Sequence, residues 1–122
     1  MARKRHALLI FHGSARETAS NAAAVFVENL KKQNNPVDFS ICFLRGAEPT
    51  LEKAIETAID NGCTSLRLIP LFLLPGSHID EDIPAIIEKY QLANPHIEFE
   101  AGSCLVHNPQ FIKFVANEIG EN

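Results

Sequence analysis

Two histidines, each standing just past an apolar run, are the residues whose type and placement point most directly to chemistry. His12 follows the run Ala7 to Phe11 in Ala-Leu-Leu-Ile-Phe-His-Gly-Ser. His78 lies in Leu68-Ile-Pro-Leu-Phe-Leu-Leu-Pro-Gly-Ser-His-Ile-Asp-Glu-Asp-Ile-Pro, in a Gly-Ser loop that opens a helix in this reading. In an open parallel α/β sheet, the loops leaving the carboxyl ends of the strands line the ligand crevice. Two neutral imidazoles there can share a metal ion or move protons near pH 7. Gly13 permits close backbone approach, and amides at the helix start after Ser14 favour an anion such as a carboxylate or phosphate. Gly76 frees the backbone of the second loop in the same way. Asp80 and Asp82 beside them bring negative charge to a helix N-terminus, where it is stabilising. Capping alone accounts for those acids in part, but not for a histidine projecting from the glycine loop.

Other chemistries fail on specific residues. His-Gly-Ser can imitate the oxyanion loop of an α/β-hydrolase, yet no G-x-S-x-G nucleophile elbow is present and the chain is too short. Neither the G-x-G-x-x-G of a dinucleotide site nor the G-x-x-x-x-G-K of a P-loop occurs. Cys42, Cys63 and Cys104 show no C-x-x-C spacing and read as buried, reduced thiols rather than metal ligands.

The elements that must position these residues follow from hydrophobic period. Ala7 to Phe11 is continuously apolar, as expected of a parallel strand covered on both faces. From Glu17 to Lys32, Ala19, Ala22, Ala23, Phe26, Val27 and Leu30 recur at helical spacing, and Asn34-Asn35 before Pro36 ends the helix. Val37 to Leu44 reads as a second strand. Pro49-Thr50 opens a helix with Leu51, Ala54, Ile55, Ala58 and Ile59 inside and Gly62 as its stop. Ser65 to Phe72 reads as the most buried strand, with Pro70 at a bulge or at its end. A third helix begins near Asp80 to Ile83, with Pro84 in its first turn. Ile97 to Ala101 gives a fourth strand. Asn108-Pro109 caps a last helix with Phe111, Ile112, Val115 and Ile119 inside. Strict β-α alternation predicts a single α/β domain over 1–122, a parallel sheet of about four strands with helices on both faces, in a flavodoxin-like three-layer sandwich. His12, Arg45, Glu48, the Gly76-Ser77-His78 loop and His107 then share one sheet edge. His6 and His96 fall on the opposite edge.

The bulk properties narrow the partners. The chain has 122 residues, is 46% hydrophobic and 21% charged, and carries a formal charge of -4, so it is a globular domain rather than a disordered one. No basic stripe runs along a helix, which argues against nucleic acid as a partner. No apolar stretch approaches the ~20 residues needed to span a bilayer. The basic start Met1-Ala-Arg-Lys-Arg-His is followed by too short an apolar run for a signal peptide, so the expected location is the cytoplasm.

Three stretches together carry a family resemblance: His12-Gly13-Ser14, Phe43-Leu44 followed by Ala47-Glu48-Pro49-Thr50, and Pro70-Leu71-Phe72-Leu73-Leu74-Pro75-Gly76-Ser77-His78-Ile79-x-x-Asp82-Ile83-Pro84. In this order and spacing the chain resembles the small sirohydrochlorin chelatases of the CbiX/SirB type, within the class II chelatases. The resemblance implies ATP-independent insertion of cobalt, nickel or ferrous iron into sirohydrochlorin, a tetrapyrrole bearing eight carboxylates. It implies that His12 and His78 bind the metal and act catalytically. It also implies that the ion is a substrate and that no cofactor is permanently bound. Where the family often has Glu after the Phe-Leu pair, this chain has Arg45, which leaves Glu48 as the nearest carboxylate to assist at the metal. Gly13, Ser14, Arg16, Arg45, Gly76 and Ser77 are the candidate holders of substrate carboxylates.

Metallation removes two pyrrole protons, a task suited to a base titrating near working pH. Imidazole is also an apt borderline ligand for these cations. A tetrapyrrole is about as wide as this small sheet, so a homodimer is expected. Cellular supply selects among metals that follow the Irving–Williams order at any nitrogen site; cobalt is the nominal choice. The competing reading is a non-catalytic tetrapyrrole or metal carrier. A flavodoxin-like partner-binding module, which would leave both histidines dispensable, is a third.

Overall fold

Continuous apolar runs become central strands when neighbours on both sides satisfy their backbone, and β1 (Arg5–Phe11) is such a strand. In the computed structural model, which describes residues 3–13 and 16–120, the side chains of 19, 20 and 77–81 lie outside the description. β1 pairs in parallel with β2 (Asp38–Phe43) on one side and with β3 (Ser65–Pro70) on the other. β4 (Glu98–Ala101) joins β3, giving the order β2-β1-β3-β4 with every pairing parallel. Helices α1 (Glu17–Lys31), α2 (Leu51–Asp60) and α3 (Ser77–Ala93) connect the strands. A 3₁₀ turn at Leu105–His107 and α4 (Pro109–Ile119) follow β4.

One face of this sheet holds the main core. Leu8 and Ile10 of β1 and Leu66 and Leu68 of β3 are fully buried there. They cluster with Leu51, Ala54, Ile55 and Ala58 of α2 and with Ile83 and Tyr90 of α3. Each such aliphatic side chain is stabilised by about 1.5–3 kcal/mol on leaving water. The two-residue period places Ala7, Leu9 and Phe11 on the other face, where the Phe26 ring of α1 meets Phe11 edge-on at 6.2 Å. α2 is held at its start by Thr50, whose hydroxyl accepts from the Lys53 N–H, and Gly62 follows its end at φ +88°. Tyr90 ties α3 to α2 by donating its hydroxyl proton to Glu56 at 2.6 Å. Desolvation, followed by that bond, pushes the phenol well above its ordinary range.

Several boundaries and one face differ from the sequence reading. β3 stops at Pro70, which has no N–H to continue the ladder, so Phe72 lies beyond the strand. α3 starts at Ser77, about a turn earlier than the acidic run suggested. His78 therefore lies in the helix's first turn rather than in a loop before it. Pro84 becomes an interior residue of α3, where its missing N–H leaves the carbonyl of residue 80 without its helical partner. The largest departure is α4. Its cap is as expected, with the Asn108 side chain accepting from the Gln110 and Phe111 N–H groups. Its apolar face, however, is not inside. No α4 residue is buried, because the helix packs chiefly against the 105–107 turn instead of returning to the sheet.

Candidate functional site

Four parallel strands put all their exits on one edge, and the exit of the central strand carries His12. The imidazole is exposed, and its ring stands edge-on to Phe72 with centroids 5.9 Å apart and an interplanar angle of 81°. The backbone beneath it is fixed by the neighbouring strand exit. Leu44 N–H donates to the Phe11 carbonyl at 3.0 Å, and Arg45 N–H donates to the His12 carbonyl at 3.3 Å. Gly13 then turns away at φ +90°, and a Cβ there would lie 1.9 Å from the Arg45 carbonyl oxygen. Only glycine allows the two exit loops to approach this closely.

The β2 exit runs from Arg45 through Glu48, both exposed, and a cis Glu48–Pro49 peptide. The Pro49 carbonyl accepts from Phe43 N–H at 2.9 Å, closing this loop onto its own strand. Between it and α3 lies a cavity of about 490 Å³ lined by Leu44, Arg45, Thr50, Glu52, Asp82 and Ile86. This cavity brings one guanidinium together with two carboxylates.

The β3 exit is anchored by Leu71 N–H, which donates to the Ile10 carbonyl at 2.8 Å. Phe72 is buried, Leu73 and Leu74 are exposed, and the extended Gly76 precedes the first turn of α3. The first-turn amides of a helix have no intrahelical acceptor, so this turn presents donors suited to a carboxylate. Ser77 and His78 belong to that turn by their backbone, while their side chains fall outside the described residues. Ser14 lies outside them altogether. Arg16 is the exposed, extended residue before α1. At the β4 exit, His107 lines a cavity of about 570 Å³ against α3, with Pro75, Ile83, Ile87, Phe99 and Cys104.

The structure thus brings His12, Gly13 and Arg45 into direct contact and places Gly76 at the neighbouring exit. Among the described residues, no group of three or more His, Cys, Asp or Glu side chains is arranged to hold a metal ion. Cys42 is fully buried, and desolvation pushes its thiol up to about 12. His6 lies at the strand-start edge with its Nε2 2.9 Å from the Ser40 hydroxyl. Burial lowers its pKa below the ordinary value, Asp38 opposes this, and Lys4 adds to it.

Sequence reasoning treated Phe72 as the end of the most buried strand and missed it as the wall beside His12. Its position two residues past the strand-ending Pro70 is the available signal. Asp82 was read as an acid at a helix N-terminus and Glu52 was not singled out; both line one cavity with Arg45, and nothing local in the sequence pairs them.

Comparison with known proteins gives a consistent result. A family model described as CbiX matches residues 6–122. The chain is 31% identical over 114 residues to the sirohydrochlorin ferrochelatase of Priestia megaterium, an alignment covering 93% of this chain and 43% of that protein. Sirohydrochlorin chelatase SirB from Bacillus subtilis subspecies spizizenii, solved in complex with cobalt, superposes with a TM-score of 0.77 at 31% identity over 97% of this chain and 50% of that one. A CbiX protein of Marinobacter aquaeolei shares the fold with a TM-score of 0.76 at 22% identity, over 96% of this chain and 95% of its own. The chain therefore spans about half the length of the ferrochelatase and of SirB, and nearly the whole of the Marinobacter protein.

Proposed function

From the premise that the chain belongs to the CbiX family, we propose that it inserts a divalent metal ion into sirohydrochlorin without ATP, acting as a homodimer in the cytoplasm. The observation that carries this reading is His12. It is an exposed imidazole at the exit of the central strand, held by a backbone lock to Arg45 and walled by Phe72. The names of the relatives support the substrate, and they divide between iron and cobalt.

The chemistry asks for few parts. Two pyrrole N–H protons leave as one M²⁺ enters, so the charge of the macrocycle is unchanged. His12 and His78 take those protons, a role to which imidazole is suited. They also replace part of the water around the incoming ion, and a pair of imidazoles is too small a ligand set to retain it. Arg45, Arg16 and the backbone amides at Gly13–Ser14 and Gly76–Ser77 hold peripheral carboxylates. Glu48 adds a carboxylate to attract the cation. The fixed His12 loop sets the base against the ring plane before substrate arrives, and such preorganisation is worth orders of magnitude in rate.

The test is the absorbance of sirohydrochlorin mixed anaerobically with Co²⁺, Ni²⁺ or Fe²⁺ and a small fraction of an equivalent of protein. Many turnovers with at least one metal are expected. A reaction that stops at one equivalent per protomer identifies a carrier instead, and no rate above the uncatalysed one with any of the three ends the chelatase reading.

A further inference from the structure

Two adjacent leucines stand exposed at the strand-exit edge, outside the protomer's own core. Leu73 is 50% and Leu74 63% exposed, directly after the buried Phe72 that walls His12. The backbone that carries them is held. Leu71 N–H donates to the Ile10 carbonyl at 2.8 Å, and the Phe72 and Leu73 carbonyls accept from the Leu105 and Val106 N–H groups at 3.0 and 3.1 Å. Pro75, with its fixed φ, and the extended Gly76 then lead into α3. The segment is thus tied to the central strand on one side and to the 105–107 turn on the other. An apolar pair kept in water by a held backbone marks a contact surface, and its surroundings indicate the partner.

We infer that Leu73 and Leu74 lie against one face of the tetrapyrrole and hold it over His12, displacing the water between ring and loop. This rests on the chelatase reading above and names the residues that take the apolar part of its ligand. Two features select a flat macrocycle as occupant. The first is place. The pair lies between the exit of the central strand, with His12, and the first turn of α3, to which His78 belongs by its backbone. A ring served by both histidines has to cross this segment. The second feature is charge. Between Arg67 and Asp80 the chain has no Lys, Arg, Asp or Glu, while the neighbouring exits carry the exposed Arg45 and Arg16. A ligand with apolar faces and an anionic rim matches that division, its faces on the neutral loop and its carboxylates toward the cations. A metal ion or a small anion would gain nothing from two leucines, and two side chains alone fall far short of a protein interface. Contact across the ring face is uncharged and non-directional, so the pair acts on tetrapyrrole binding and not on the choice of metal.

Binding of metal-free sirohydrochlorin, followed by its absorbance, tests the proposal alongside steady-state insertion. Leu73→Asn and Leu74→Asn should each raise the Kd about five- to tenfold, the loss expected when the exposed half of a leucine is no longer taken out of water. KM for sirohydrochlorin should rise with it, while KM for the metal stays at the wild-type value. Leu73→Met and Leu74→Met keep an apolar side chain of similar volume and should bind within about twofold of wild type. Added salt should weaken wild type and the Asn variants in parallel, because the contact removed carries no charge. Leu92→Asn, 76% exposed on α3, should bind as wild type does. Wild-type Kd in both Asn variants overturns the proposal. A sedimentation mass half that of wild type for Leu74→Asn also overturns it, since the pair is then a contact between copies. Equal losses in the Met and Asn variants, with a lowered urea midpoint, make the role structural and overturn it too. Absence of sirohydrochlorin binding by wild type ends the chelatase reading and this proposal together, whereas the other outcomes touch the proposal alone.

Discussion

Replacing Gly13 by alanine should damage both stability and activity, and the two effects have separable causes. At φ +90° a Cβ meets the local backbone, a conformation that costs an L-residue about 1–2 kcal/mol. The methyl would also lie 1.9 Å from the Arg45 carbonyl oxygen. That is roughly 1.5 Å inside a normal contact distance. The obstructing atom is backbone, so no rotamer change relieves it. The His12 and Arg45 loops must part, and the hydrogen bond between Arg45 N–H and the His12 carbonyl, worth ~1 kcal/mol, goes with the movement. The total is about 2–4 kcal/mol, read from urea unfolding. A loop displaced by more than an ångström also moves the His12 imidazole off its target, which should lower the insertion rate about 100-fold. Gly62→Ala is the matched control. It shares the positive φ, at +88°, but its Cβ would meet nothing within 4 Å. It should lose only the conformational ~1–2 kcal/mol and keep wild-type activity. If Gly13→Ala behaves like Gly62→Ala in both assays, the backbone lock is not what positions His12.

His12→Ala and His78→Ala should each remove most metal insertion, with the double variant adding little, because groups acting as one unit are non-additive; independent, multiplying losses measured by initial rates in folded protein would separate them. The Tyr90→Phe change removes the hydroxyl bonded to Glu56 and should cost about 1–2 kcal/mol in urea unfolding without changing turnover. For His6, the folded pKa lies below the unfolded value of about 6.5, so its contribution is complete above that pH and declines as pH falls toward the folded pKa. His6→Gln should therefore flatten the fall in stability between pH 7 and 5, and melts that keep the wild-type slope would contradict this. Ile55→Ala empties a fully buried position between helix and sheet and should cost about 2–5 kcal/mol, detected as a shift in urea midpoint.

The order of elements was legible in the chain because continuous apolar runs and helical periods alternate without ambiguity. β1, α1, α2 and the Asn108 cap all lie within two residues of where the pattern puts them. The convergence of His12, Arg45 and Gly76 at one edge follows from parallel topology alone. What the pattern could not supply was a long-range fact in each case. The early start of α3 depends on the extended Gly76, whereas the acids further along suggested a later one. Phe72 reads as another strand residue until Pro70 is seen to stop the ladder. The apolar period of α4 suggested a buried face, but periodicity does not say what buries it. The direction in which the chain leaves the 105–107 turn decides that, and no local composition records it.

The placement of β1 has a consequence for how the molecule moves. Its backbone is hydrogen-bonded on both sides along nearly its whole length, so its amides should be among the last to exchange with solvent, opening only with the global transition. β4, with four residues and one neighbour, and α4, with nothing buried, sit at the other extreme. His12 is therefore mounted on the stiffest part of the chain. On the His107 side of that edge, β4 with its single neighbour and the 105–107 turn that follows it are expected to open first. Hydrogen exchange would separate the two as a slow half and a fast half of one sheet edge, with the boundary running between β1 and β4.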